Sequence, residues 1–285
     1  MQTLLEPLQY AFMRDALLVG SVIAAMCAML SCFLILKGWS LMGDAISHAV
    51  LPGIVLAYIA GLPLAFGAFS SGLLCAVSTG FIKQNSRIKE DTVMGVVFTG
   101  LFAFGLVLFS QTDSDMHLDH ILFGNILGIT HGQRTETFLL GGAIIAIILL
   151  LRRDLLLVCF DPGQARVLAL PASFLNYLLL SLLSLAIVVA LKAVGIILVV
   201  AMLITPGSIA YLWTDRFDRM LIISVCAAVT STVLGIFISY HIDGSTGACI
   251  VLTQALGFVG SLLFAPKHGI FRASRKEHSA GPAAP

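Results

Sequence analysis

The chain has 285 residues, of which 59% are hydrophobic and 11% charged, with a formal net charge of +1 at pH 7. Soluble domains carry about 25% charged residues, so the composition excludes an ordinary soluble globular fold. The near-zero charge argues against a nucleic-acid partner, and no polar stretch is long enough to form a soluble enzymatic domain.

A membrane-spanning helix needs about 20 apolar residues. Reading the charge-free runs in chain order predicts nine spans: 15–36, 39–61, 62–82, 92–110, 135–151, 172–191, 193–213, 220–240 and 247–265. A count of eight to ten is compatible with these runs. Residues 121–133 are apolar but short and interrupted by glycine, which predicts an interfacial or re-entrant piece. The runs are continuous, whereas a membrane β-barrel would alternate over about ten residues. The expected fold is therefore an all-α polytopic bundle. Residues 1–266 form its transmembrane domain and residues 267–285 a basic, then proline-rich tail expected to be disordered. The start of the chain lacks the pattern of a cleavable signal.

Lys and Arg set the orientation. With the C-terminus in the cytoplasm, the inner side holds Lys37, Lys83, Arg87, Lys89, Arg152, Arg153, Arg166, Arg216, Arg219, Lys267, Arg272, Arg275 and Lys276. Only Arg14, Arg134 and Lys192 remain outside, a ratio of 13 to 3. Nine spans then place the N-terminus outside. The six cysteines, mostly in apolar runs and without a Cys-x-x-Cys pair, are expected to be small buried hydrophobes.

The chemistry concentrates in the second span, where Asp44 and His48 stand four residues apart and so share one helix face. Ionisable groups in hydrocarbon are costly and call for a reason. A carboxylate and a neutral imidazole are ligands for borderline-hard divalent cations. The alternative is a structural hydrogen-bonded pair. Pro52 and Gly53, one turn later, are a candidate break in this helix that would free backbone carbonyls. Ser47, on a neighbouring face, is expected in a neutral supporting role.

Further along, Asp113, Asp115, His117, Asp119 and His120 crowd the outer segment from Gln111 to His120, which reads as a solvated loop or a weak cation collector. Residues 161–170 open with Asp161 and Pro162, good helix-start residues. They offer an apolar edge in Ala165, Val167, Leu168 and Leu170, as a short helix seated in a partner's groove would. His241 and Asp243 lie at the outer end of the eighth span. They are either a candidate outer gate or docking contact, or a plain turn built on Asp243-Gly244.

The stretch from Leu36 to Gly53 (LKGWSLMGDAISHAVLPG) resembles the signature of the permease subunits of manganese/iron/zinc ABC importers, the metal-cation ABC-3 type. Four further segments resemble elements of that family in the expected order: Ile121–Gly128, Phe160–Arg166, Ala201–Ala210 and Ser239–Ala248. The wording Lys37-Gly38-Trp39-Ser40-Leu41-Met42-Gly43-Asp44 is most similar to the enterobacterial-type manganese/iron importers.

The resemblance implies a type II-like importer permease in a bacterial inner membrane. It implies Asp44 and His48 as the metal path for transported Mn²⁺ or Fe²⁺, with some Zn²⁺ tolerance. It also implies a coupling helix at Asp161, Pro162, Gly163, Gln164, Ala165 and Arg166. The implied partners are a second permease copy or homologue, a cytoplasmic ABC ATPase dimer and a periplasmic metal-binding protein. The chain has no phosphate-binding Gly-x-x-x-x-Gly-Lys-Ser/Thr loop. It is therefore expected to be a transport subunit, not an enzyme, with ATP bound by its partner and no permanent cofactor. The alternatives are a zinc-preferring permease of the same family and a proton-driven secondary metal transporter, which would require a relay of buried ionisable residues on several spans.

Overall fold

A computed structural model describes residues 9–112 and 126–267. Nine α-helices follow in order among the described residues: α1 (Ala11–Lys37), α2 (Met42–Ile59), α3 (Leu64–Asn85), α4 (Glu90–Ser110), α5 (His131–Phe160), α6 (Pro162–Val167), α7 (Ala172–Trp213), α8 (Phe217–Ile242) and α9 (Thr246–Phe264). A single 3₁₀ turn, Ile126–Gly128, precedes α5. No strand occurs among the described residues. This is the expected all-α fold, because a helix satisfies its own backbone hydrogen bonds and needs no water in hydrocarbon. Seven helices, α1–α4 and α7–α9, are long and apolar enough to cross a membrane.

Two of the nine predicted spans, 172–191 and 193–213, merge into α7. Its 42 residues correspond to about 63 Å of helix, roughly twice the hydrocarbon thickness. It is not straight: Gly195 has φ 77° and ψ 169°, outside the helical region. Contacts fix the direction of each arm. Lys37, ending α1, hydrogen-bonds Asn176 near the start of α7. Lys192 pairs with Glu136 at 2.6 Å, and Arg134, half a turn away on α5, pairs with Asp15 at the opposite end of α1 at 2.8 Å. Ser31, back near the Lys37 end, then donates to the Ile204 carbonyl and accepts from the Gly207 N–H. The chain therefore climbs from residue 176 to 192, reverses at Gly195 and descends to 213. Both predicted spans exist, as antiparallel arms. Helix α5 also runs from end to end: Arg134 and Glu136 lie at the Asp15 end, whereas Arg152 pairs at 2.9 Å with Asp218 at the start of α8.

The ion pairs thus gather at two poles. One holds Asp15, Arg134, Glu136 and Lys192; the other holds Arg152, Asp218, Asp215 and Lys267. Cations assigned to opposite sides by the charge count never meet in these pairs. Between the poles, α1 and α7 carry more buried side chains than any other helix, and α4 packs outside them, against α2 and α3. The described part of 121–133 is not a crossing: Ile126 packs beside Gly20 of α1, and α5 begins at His131. Cys27, Cys32, Cys75 and Cys249 are buried, Cys159 is half-buried and Cys226 is exposed. All six are free thiols. The tail beyond Lys267 and the loop of Asp113, Asp115, His117, Asp119 and His120 lie outside the described residues.

The backbone at Gly195 is one that residues with a side chain adopt only under strain. Gly195→Ala should destabilise the protein by about 1–3 kcal/mol, read as a lowered unfolding temperature of the detergent-purified protein.

Candidate functional site

Helix α2 begins five residues after α1 ends, and its first turn carries Asp44. A carboxylate in the first turn is favoured by the helix dipole. One turn on, His48 Nε2 lies 3.4 Å from Asp44 Oδ1. The two side chains are 34% and 32% exposed for Asp44 and His48, whereas Ala45, Ile46, Ser47, Ala49 and Val50 between and after them are buried. The pair therefore faces an opening, with its neighbours on α2 turned into the bundle. Gly43 packs against Leu203, in the middle of the second arm of α7. This contact sets the start of α2 beside the middle of a crossing and not at a pole.

The separation fits cation chemistry. With bonds of about 2.1 Å, a divalent ion spanning a 3.4 Å pair subtends roughly 108° at the metal. Among the described residues no group of three or more His, Cys, Asp and Glu comes together. The pair offers two ligands only.

Two aromatic rings of α4 complete the surroundings of His48. Phe98 stacks on the imidazole at 6.0 Å between centroids and 27° between planes. Phe102 meets it edge-on at 5.3 Å and 76°. Sequence reading missed both. Their only signal was i, i+4 spacing on an apolar span, which many lipid-facing pairs share. Ser47 is buried and donates to the carbonyl of Gly43, one turn back on its own helix, at 2.7 Å.

The expected break at Pro52 and Gly53 is absent: α2 continues through both to Ile59. The reason is packing. Gly105 of α4 lies against the Pro52 ring and nitrogen, and Gly53 crosses Gly67 of α3 so closely that a Cβ on Gly53 would stand 2.0 Å from the Gly67 carbonyl oxygen. Helices packed this tightly on two sides keep the proline-bearing segment helical. Ser71 adds a hydrogen bond from its hydroxyl to the Ala49 carbonyl at 2.6 Å. Proline still lacks an N–H, so the His48 carbonyl receives no helical bond from position 52.

The other candidates lie elsewhere. His241 and Asp243 are exposed at the end of α8, where Tyr240 contacts Tyr10 at the Asp15 pole. His241 Nδ1 is 2.8 Å from the Phe237 carbonyl. Asp243 takes the left-handed conformation, φ 51°, that ends the helix. Ser239 donates to the Gly244 carbonyl at 2.7 Å and secures this turn. No ion pair or hydrogen bond joins His241 to Asp243 among the described residues, and the local geometry is that of a helix-ending turn.

At the other pole, Asp161 caps α6 by accepting from the Gln164 N–H at 2.9 Å, with Pro162 in the first helical position. Ala165 is buried, while Gly163, Gln164 and Arg166 are exposed. Val167 and Leu168 are 85% and 59% exposed, so part of the predicted apolar edge is uncovered.

The long apolar helices define a multi-pass membrane protein, and the Asp44–His48 pair sets two ligand atoms on a partly exposed face of one of them. The chain belongs to the ABC 3 transport family, whose profile matches residues 9–265. It is 58% identical to the "Chelated iron transport system membrane protein YfeD" of Yersinia pestis, over 91% of this chain and 87% of that protein. It is 51% identical to the "Manganese transport system membrane protein MntB" of Synechocystis sp., over 97% and 90%. Among solved structures it resembles "PsaBC from Streptococcus pneumoniae in complex with Fab", with a TM-score of 0.85 and 41% identity over 95% of this chain and 99% of that one. The chain is thus a permease of the ABC class.

The Gly53–Gly67 crossing holds the helix that bears Asp44 and His48. Gly53→Val should cost about 1–3 kcal/mol through overpacking. Gly142→Ala, where nothing lies within 4 Å of the added Cβ, should leave the unfolding temperature in detergent unchanged or slightly raised, because alanine is the better helix former.

Proposed function

We propose that this chain is the permease subunit of an ATP-driven importer of divalent transition metal, Mn²⁺ or Fe²⁺. The observation that carries the reading is the Asp44–His48 pair, one-third exposed and 3.4 Å apart on a membrane helix beside the middle of a crossing. Support for the cargo comes from the relatives named above, which carry iron and manganese in their names. In this reading a cation sheds part of its water onto Asp44 and His48, and the remaining positions are filled by water or by a second permease. Yersinia pestis has two chelated iron transport system membrane proteins similar to this chain, YfeD and YfeC, which fits such pairing.

The pole of Arg152 and Lys267 faces the cytoplasm of a bacterial inner membrane, with the N-terminus outside, a sidedness supported by the 13-to-3 distribution of Lys and Arg. A periplasmic binding protein delivers the metal at the Asp15 pole, near His241 and Asp243. At the other pole α6 is the coupling helix: Asp161 sets its start, and the exposed Val167 and Leu168 enter a groove of the ATPase. ATP-driven movement there exposes the Asp44–His48 pair first to one side and then to the other, which is a population shift between two states. A proton-driven route would need a relay of such groups on several spans, whereas Asp44 and His48 both belong to α2.

The test is radiolabelled Mn²⁺ uptake in cells without their own manganese importers, supplied with the cognate ATPase and binding protein. Asp44→Asn and His48→Ala, at matched membrane abundance and intact assembly, should each lower uptake to background. Competition by Fe²⁺ and Zn²⁺ ranks the cargo. Wild-type uptake in both variants would make the pair structural, and uptake without the ATPase would point to a secondary transporter.

Val167→Asp and Leu168→Asp should leave the permease stable but weaken copurification of the ATPase by about tenfold or more, the effect of losing a well-packed interfacial anchor.

A further inference from the structure

Phe98 and Phe102 offer no ligand atom, yet both rings lie on the one side chain that supplies the nitrogen ligand. They are four residues apart on α4 and share a face. One ring lies nearly parallel to the imidazole and the other nearly perpendicular to it. Offset-stacked and edge-on contacts are the preferred aromatic geometries, and together they restrict both the tilt and the spin of the central ring. The contact of Gly105 with Pro52 sets α4 against α2 one turn further on and so places the backbone that carries both rings beside His48. On its remaining edge the imidazole presents Nε2 towards Asp44.

The pair alone cannot choose among ions. Divalent first-row metals bind a given nitrogen–oxygen site in an order that favours Zn²⁺ over Mn²⁺, so preference for the weaker binder has to come from geometry. A ring free to turn would let Nε2 follow whichever ion binds more tightly. A ring held by one stacked and one edge-on aromatic neighbour keeps the nitrogen-to-oxygen separation near its preset value.

We propose that Phe98 and Phe102 are positioning residues that clamp the His48 imidazole and thereby set which divalent cation the Asp44–His48 pair accepts. The inference rests on the reading of that pair as the cargo site. The clamp acts through His48, and neither phenylalanine touches the ion.

The experiment measures Mn²⁺ binding to the purified permease–ATPase complex by loss of the free-ion paramagnetic resonance signal, followed by displacement with Zn²⁺. Replacing both rings, Phe98→Leu with Phe102→Leu, should weaken Mn²⁺ binding about three- to tenfold, the scale of losing aromatic contacts. Less Zn²⁺ relative to Mn²⁺ should then be needed for displacement. Phe98→Tyr with Phe102→Tyr, which keeps the rings, should retain wild-type binding and displacement. Unchanged binding and displacement in the leucine pair, or equal losses in the leucine and tyrosine pairs, would overturn the clamp. Asp44→Asn separates the two levels. If it binds Mn²⁺ as wild type does, the cargo-site reading fails and the clamp falls with it. If it abolishes binding while the leucine pair behaves as wild type, the clamp alone falls. Only variants with wild-type unfolding temperature and ATPase content are compared; should the double variant not assemble, Phe98→Leu and Phe102→Leu are tested singly by the same criteria.

Discussion

Hydrocarbon gives polar groups no solvent, so each must find a partner within the protein or sit at an end of the bundle. That requirement arranges nearly every feature of the fold. It makes every long element a helix. It collects Asp15, Arg134, Glu136 and Lys192 at one pole and Arg152, Asp218, Asp215 and Lys267 at the other. It also turns buried hydroxyls inward: Ser31 bridges α1 to the second arm of α7, Ser224 donates to the Ala28 carbonyl, and Ser71 donates to Ala49. Against this background the Asp44–His48 pair stands out, and its position away from the poles is what marks it.

Close backbone approach is the second organising feature, and it links the fold to the site. Bilayer helices gain little from burying apolar area, so small residues that let backbones meet carry much of the packing. Gly53 against Gly67 and Gly105 against Pro52 wedge α2 between α3 and α4. Gly43 against Leu203 sets its first turn. The orientation of Asp44 and His48 is therefore a product of contacts on the other faces of their own helix.

Much of this was legible in the sequence, for identifiable reasons. Long apolar runs are direct statements about a bilayer, so each of the nine predicted segments coincides with helix over most of its length. The i, i+4 spacing put Asp44 and His48 on one face, and the Asp161-Pro162 start marked the short helix α6. Three features were not legible. The reversal at Gly195 leaves no loop in the sequence, because one glycine serves as the whole connection. Pro52 suggests a break by its local chemistry, but Gly67 and Gly105, on two other helices, decide that the helix continues. Phe98 and Phe102 look like any apolar pair on a membrane helix until α4 is placed beside α2. Local signals are written in local residues, whereas these three depend on which helices meet.

The exposure of Asp44 and His48 has a consequence for the life of the subunit before it transports anything. A carboxylate and an imidazole that are each about one-third uncovered have no comfortable state against acyl chains. Their open side must be met by water or by another polypeptide. An inserted copy must therefore keep this face of α2 turned to water or protein at every stage, so the pair limits the arrangements that the subunit can adopt against lipid.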